Sequence, residues 1–376
     1  MHKLFCTLLL LLFSGLTLTQ YSCKKDDSNA PGGDDQLIRD YLIGLGIDES
    51  HFQIGADFVT YEDDAGWDKK ALLMTIRGEV FDLPSDPDAP AGAADRQRGI
   101  VETSYTDAVT ATSVTTLKYF IRSSVSADCG TAWVTAIADG VAAWNAASYT
   151  RVALASTTSQ SSAHIVFGSD ADTGMPSSHQ NLGSSTVARA GFPSAGVVWK
   201  WISINDTQDS WGSKKKTVMH EIGHCLGYRH TDSSDGGPIH GTPATESGSI
   251  MNQGSNTSPA FTSNDNRAIR MYYPDNYATP TSFTATKYSS GTVRLTYTNP
   301  NWLTKPYYWV RVYRYNASGS LLNYKDFQSN TNASNGVHQF NWSGHTAGTT
   351  YRFAVKGFNF RKDVLGTISG QATVTL

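Results

Sequence analysis

The sequence predicts an α+β fold followed by an all-β module, and three observations carry that prediction. Helical and strand periodicities alternate between residues 114 and 275, and short alternating strands separated by turn residues fill residues 281–376. The 33 glycines, with plentiful Ser and Thr, make loop- and β-rich structure the expectation over most of the chain. At 376 residues the chain is long enough for about two to three domains. Apolar residues make up 39% and charged residues 17%, a mix that excludes global disorder. A net charge of -3 offers no basic face to nucleic acid.

The N-terminus is read as a targeting segment. Met1-His2-Lys3 places a positive charge ahead of the apolar run 4–18, which is too short for a membrane span. Residues 1–22 therefore read as an export signal. Cys23, preceded by Ser22 and followed by Lys24-Lys25-Asp26-Asp27, resembles the lipidated first residue of a bacterial lipoprotein, although Gln20 and Tyr21 depart from the usual pattern. The alternative is a plain secretory signal cut nearby. The expected location is extracytoplasmic: the cell surface or outer membrane as a lipoprotein, with contact to the membrane only through that lipid, or otherwise secreted. Residues 23–36 form a tether rich in Asp, Ser, Pro and Gly.

Residues 37–110 form an N-terminal region that opens on an amphipathic stretch, Leu37, Ile38, Tyr41 and Leu42. A breaker-rich loop, Leu83-Pro84-Ser85-Asp86-Pro87-Asp88-Ala89-Pro90-Ala91-Gly92, leads to Arg96-Gln97-Arg98, a place for cutting. A propeptide and a small module without inhibitory role both fit. From 111 to 276 the pattern sharpens. Leu117, Tyr119 and Ile121 alternate as a strand. Trp133, Ile137, Val141 and Trp144 recur at helical spacing within 129–147. Residues 149–155, 163–167 and 197–204 read as strands, and 213–226 as a helix. Thr262 or Ser263 caps a last helix that runs to Tyr272 and is ended by Pro274. Cys129 and Cys225 are an even pair, which in an exported protein can be bridged; two buried free thiols are the alternative.

The informative stretch is His220-Glu221-Ile222-Gly223-His224-Cys225-Leu226-Gly227-Tyr228-Arg229-His230. At about 100° per residue, His220 and His224 lie about 40° apart on one helix face, one turn above the other, and both imidazoles can reach one ion. On a continuing helix His230 would point away, so the helix must stop first. Gly227 supplies the stop, since glycine takes a left-handed conformation at little cost. Three imidazoles leave a fourth position for water, the arrangement of a catalytic zinc site. Zinc lowers the pKa of bound water and polarises a carbonyl. Glu221 is placed to take a proton rather than bind metal, and to pass it to a leaving amine.

This stretch resembles the metzincin zinc metallopeptidases, and the run His220-Glu221-Ile222-Gly223-His224 with Thr231-Asp232 beyond the third histidine resembles the bacterial dual-action HEIGH-type metallopeptidases. The resemblance implies a metzincin-like catalytic domain, a mixed twisted sheet with a zinc-binding active-site helix, over 111–276. It implies one catalytic zinc ion on His220, His224 and His230, with Glu221 as general base. Ser249-Ile250-Met251-Asn252 resembles the methionine turn, with Met251 as an apolar floor. Gln253 stands where some members carry a tyrosine, so no tyrosine role is expected. Asp232 would hold the turn by hydrogen bonds, or act on a histidine. Substrate would lie extended along an edge strand within 184–192, its side-chain preference set by 233–250. Residues 168–174 have calcium-like oxygen spacing, against a solvated turn. His164 and His179 would be either a second metal site or satisfied histidines, with Arg189 against the first. Glu62-Asp63-Asp64 would be either a zinc-blocking acid of a propeptide or an exposed turn.

Residues 281–376 resemble a fibronectin type III domain. Tyr351, in Ala347-Gly348-Thr349-Thr350-Tyr351, is similar to its tyrosine-corner residue, and Tyr297 stands near the place of a core Trp. The expected function is a zinc-dependent endopeptidase acting, as a monomer, on protein or peptide substrates. The alternatives are a surface adhesion protein with a vestigial zinc site and a zinc hydrolase of non-peptide amides. An intact Glu221 argues against the vestigial site.

Overall fold

The computed structural model describes residues 33–44, 49–56, 58–61, 65–76, 108–110, 112–194, 196–232, 239, 242–243, 245–253, 258–304, 306–329, 336–359 and 366–376. The signal segment, Cys23, the tether up to residue 32, Glu62-Asp63-Asp64 and Arg96-Gln97-Arg98 lie outside the described residues. Among the described residues no helix is long and apolar enough to cross a membrane.

The N-terminal region contains a small unit with its own core. Helix α1 (Gly33–Gly44) opens on Asp34 and Asp35, which suit the positive end of its dipole, and buries Ile38 and Leu42 one turn apart. Strands β1 (Phe52–Ile54), β2 (Phe58–Tyr61) and β3 (Ala65–Asp68) form an antiparallel meander, and α2 (Lys69–Ile76) follows. Phe52, Val59, Tyr61, Trp67 and Leu72 fill its core, together with Phe192 from the next unit.

The central unit is a five-stranded sheet with helices. Strands β4 (Leu117–Ile121), β5 (Leu154–Ser156), β6 (Ile165–Ser169) and β8 (Trp201–Ile204) are parallel, while β7 (Ala188–Arg189) runs antiparallel on the edge, in the order β5-β4-β6-β8-β7. Helix α3 (Ser123–Asp128) ends ahead of Gly130, at φ 89, and the helix expected over 129–147 follows as the single helix α4 (Thr131–Asn145). The strand expected over 149–155 shrinks to β5, because Tyr149 takes φ 60 and Thr150 bridges to Pro274 instead. Helix α5 (Lys214–Cys225) packs on α4 at Gly140, where a Cβ would stand 2.6 Å from Val218 Cγ1. Helix α6 (Ser263–Tyr272) begins with a full capping box between Thr262 and Asp265. The core already includes Ala108 and Val109, just ahead of the boundary expected at 111, and the Val109 N–H donates to Tyr273 Oη at 3.0 Å.

The expected Cys129–Cys225 bridge is not formed: both thiols are free and buried. Cys129 sits after α3, its Sγ 3.6 Å from the Ile204 carbonyl, and Cys225 ends α5. Burial pushes both thiols up, Cys129 to about 11. Nor do residues 168–174 form a cation site. Asp170 accepts the N–H groups of Leu182 and Asp206, and Asp172 is paired with Arg122 at 2.6 Å, which draws its carboxyl down to about 2.

His179 is fully buried, stacked on Trp199 with centroids 5.7 Å apart. Burial, and then the charge of Arg189, push its pKa down to about 3. The unfolded chain takes up that proton below the ordinary histidine value of about 6.5, whereas the folded chain does not until about 3. Stability is therefore complete above the unfolded value and falls with pH through this window, by up to about 1.4 kcal/mol per pH unit. Urea melts between pH 7 and 4 are expected to show His179→Phe losing less stability than the parent chain over that range.

The C-terminal unit is a sandwich. One sheet has the order β13-β10-β9 and the other β12-β11-β14-β15, formed by β9 (Thr281–Ser289), β10 (Thr292–Thr298), β11 (Trp309–Asn316), β12 (Leu321–Gln328), β13 (Val337–Ser343), β14 (Thr350–Phe358) and β15 (Ala372–Thr375). Three strands against four is the arrangement expected of a fibronectin type III-like domain. The Tyr351 hydroxyl accepts the Thr346 N–H at 3.2 Å, closing the tyrosine corner. Tyr297 is buried at the centre, its ring 4.8 Å from that of His338 and nearly parallel to it.

Candidate active site

Helix α5 is buried along most of its length, and the reason is visible at its end. The Tyr228 N–H donates to Gly223 O at 3.0 Å and the Gly227 N–H to His224 O at 2.8 Å, with Gly227 at φ 100. This paired closure is the Schellman motif, and its positive φ strongly favours glycine. The chain turns back there and returns His230 to the helix face that carries His220 and His224.

The three rings then meet. His220 Nε2 lies 3.1 Å from His230 Nε2 and 3.0 Å from His224 Nε2, and the latter two are 3.0 Å apart. Three nitrogens bound tetrahedrally at about 2.0–2.1 Å to one ion stand about 3.3 Å from each other, so the triad fits zinc to within a few tenths of an ångström. The far nitrogens support this. His220 Nδ1 is 2.7 Å from Ile250 O, and His224 Nδ1 is 2.8 Å from Tyr228 O. A carbonyl can only accept, so each Nδ1 carries the proton and each Nε2 presents a lone pair to its neighbours. Lone pairs crowded at 3 Å repel unless a cation lies among them. Among the described residues, these three are the one group of His, Cys, Asp or Glu arranged to hold a metal.

Glu221, on the same turn, is 2% exposed. Met251 lies beneath the helix, where a Cβ on Gly223 would come within 2.4 Å of its sulfur. The glycine of the motif is thus a packing requirement. Gly223→Ala is expected to displace Met251, lower stability by about 1–3 kcal/mol and weaken zinc retention, as read by thermal melts with and without zinc. The turn is braced from α6. Asp265 accepts Ser249 Oγ–H and the Ile250 N–H, and Ile250 O in turn holds His220. Asp232 accepts the Gln253 N–H at 3.0 Å, the turn-holding role expected of it.

The other expected positions do not join the site. His164 Nδ1 accepts the Lys118 N–H, while His179 is buried beside Trp199 and Phe58, so no second metal cluster forms from them. Sequence reasoning missed the aromatic wall. Phe192 meets His224 edge-on at 5.2 Å, and Tyr61 stacks on His230 at 6.3 Å. It also missed Asp265, although the Thr262-to-Asp265 spacing is a capping-box signal.

Comparison with solved structures finds likeness in the C-terminal region. The FN5 domain of Drosophila Lar is 17% identical over 26% of this chain and 94% of that one, with a TM-score of 0.20. An Fn3-like protein from Clostridium thermocellum is 23% identical over 26% of this chain and 92% of that one, also with a TM-score of 0.20. No curated protein matches the chain. Residues 95–236 match the family described as dual-action HEIGH metallo-peptidase. That span includes Glu221 and all three histidines and ends before Met251. The part of the chain that brings His220, His224 and His230 together is therefore similar to the HEIGH metallopeptidases, a family that implies a zinc ion and a peptide substrate.

Proposed function

We propose that the chain is an exported zinc endopeptidase with Glu221 as its general base. The observation that supports this most is the convergence of three Nε2 atoms, two of them, on His220 and His224, with the Nδ1 of the same ring already committed to a carbonyl. His220, His224 and His230 would hold the ion. When bound, zinc supplies Lewis acidity, which makes water nucleophilic at neutral pH and polarises a carbonyl. Glu221 takes the proton from the attacking water and delivers it to the leaving amine. Its burial keeps the carboxylate in a medium of low dielectric, where its charge acts strongly.

An extended peptide would lie beside β7, the edge strand, and pair with its backbone. Such pairing reads main chain rather than termini, which favours cleavage within a chain. The sandwich at 281–376 would space or dock the peptidase, and lipid on Cys23 would tether it to the outside of the cell. The protein would act as a monomer.

Metal removal tests the reading. The purified chain is expected to carry stoichiometric zinc, and chelation to abolish casein cleavage until zinc is restored. Cleavage that continues at full rate in a chain stripped of zinc would sink the proposal.

A further inference from the structure

We infer that Asn205 and Asp170 are positioning residues for the substrate strand: they clamp the segment that leads into β7 and so set where an extended peptide is held beside the histidine cluster. The inference rests on the peptidase reading above and adds the residues that prepare its substrate edge.

β7 cannot fix its own position. It holds only Ala188 and Arg189, against an ordinary strand length of about five to six residues, and it joins the sheet on one side, through β8. The Asn205 N–H donates to Val187 O at 3.0 Å, and Arg189 stands opposite Ser203. In an antiparallel ladder successive residues turn their main-chain groups alternately toward the partner and away from it. Val187 and Arg189 therefore face β8, and Ala188 presents its N–H and carbonyl to the outer edge, where an added strand would pair. Phe192, three residues past β7, meets His224 edge-on at 5.2 Å, so this edge runs past the histidine cluster.

The segment ahead of Ala188 is held by two buried side chains. Asp170 and Asn205 each stand one residue beyond the end of a parallel strand, β6 and β8, and are 3% and 0% exposed. The Asn205 amide donates to Gly183 O at 3.0 Å and to Thr186 O at 2.7 Å. Its Oδ1 accepts the Thr207 N–H at 2.9 Å and the Thr207 hydroxyl at 2.6 Å. Both donors and both acceptor lone pairs are in use, and a flipped amide would set its oxygen against two carbonyls, so only one orientation is satisfied. Asp170 Oδ2 accepts the Leu182 N–H at 2.7 Å, and its Oδ1 accepts the N–H of Asp206, next to Asn205, at 2.8 Å. The Asn181 N–H donates to Asp170 O at 3.0 Å. The main chain from Asn181 to Val187 is thus tied to the ends of two central strands, where an ordinary surface loop would leave such groups to water. A peptide that pairs with β7 then meets an edge already ordered, and the ordering entropy is not charged against its binding.

The test uses the full zinc-loaded chain and two quenched fluorescent peptides with the same scissile bond, a long one of about ten residues that spans the edge and a short one of about four that does not. Asn205→Ala is expected to raise KM for the long peptide about tenfold, with kcat, zinc content and the kinetics on the short peptide within about twofold of the parent chain. Thr207→Val removes one of the two hydrogen bonds that orient the amide, at an exposed position, and is expected to raise the same KM about threefold. If Asn205→Ala fails to fold, Thr207→Val carries the test. An equal loss on both peptides, or a loss confined to kcat, would make Asn205 a residue of general stability and overturn the inference, as would an unchanged KM for the long peptide. Binding of the long peptide, read by fluorescence anisotropy, that weakens about tenfold in Asn205→Ala although the parent chain cleaves neither peptide would uphold the positioning role and refute the peptidase reading.

Discussion

Glu221→Ala is expected to lower peptide cleavage by about 10²–10⁴-fold while leaving the zinc content unchanged, the range supplied by a positioned acid–base group. The separation of the two effects follows from the geometry. The three nitrogens that face one another belong to His220, His224 and His230, and none of their contacts with each other passes through Glu221. The ring orientations are set by Ile250 O and Tyr228 O, which the substitution leaves in place. Removing a buried carboxylate also removes its desolvation cost, so the fold is expected to melt no earlier. The measurement is kcat/KM on a quenched fluorescent peptide beside zinc per chain by atomic emission. Unchanged kcat/KM would remove Glu221 from the mechanism. Loss of zinc together with activity would make it a structural residue of the site.

The site was legible because it is local. Eleven consecutive residues hold all three ligands, the base and the glycine that bends the chain, so helical geometry alone brings them together. The cap of α6 and the alternation of β10, β11, β13 and β14 are equally local signals. What sequence reading lost is what the fold assembles from far apart. β9 is exposed along most of its length, so no apolar alternation marked it. The short helix α3 ahead of Gly130 buries one apolar residue, Val125, so no helical periodicity marked it. The even cysteine count suggested a bridge, but spacing carries no information on where Cys129 and Cys225 sit in the core. The aromatic wall is the largest loss: Tyr61, Trp67 and Phe192 come from two units, and no pattern in the chain ties them to a histidine.

The bend at Gly227 is the step on which the metal site depends, and His230 is the residue that exposes it. His230→Ala is expected to weaken zinc binding on the order of a thousandfold, since it removes one of three ligands whose combined binding in such sites is worth about 10–16 kcal/mol. The helix should survive, because its closing hydrogen bonds run from Gly227 and Tyr228 to His224 and Gly223, upstream of the change. Gly227→Val tests the same geometry without touching a ligand. A β-branched residue at φ 100 is strained, so relief must come from the backbone that carries His230. An intermediate loss of zinc affinity is therefore expected from Gly227→Val, with all three histidines still present. Competition against a chelator of known affinity, with circular dichroism to follow the helix, distinguishes the cases. Full zinc affinity in Gly227→Val would mean that the third ligand is positioned by something other than the glycine turn.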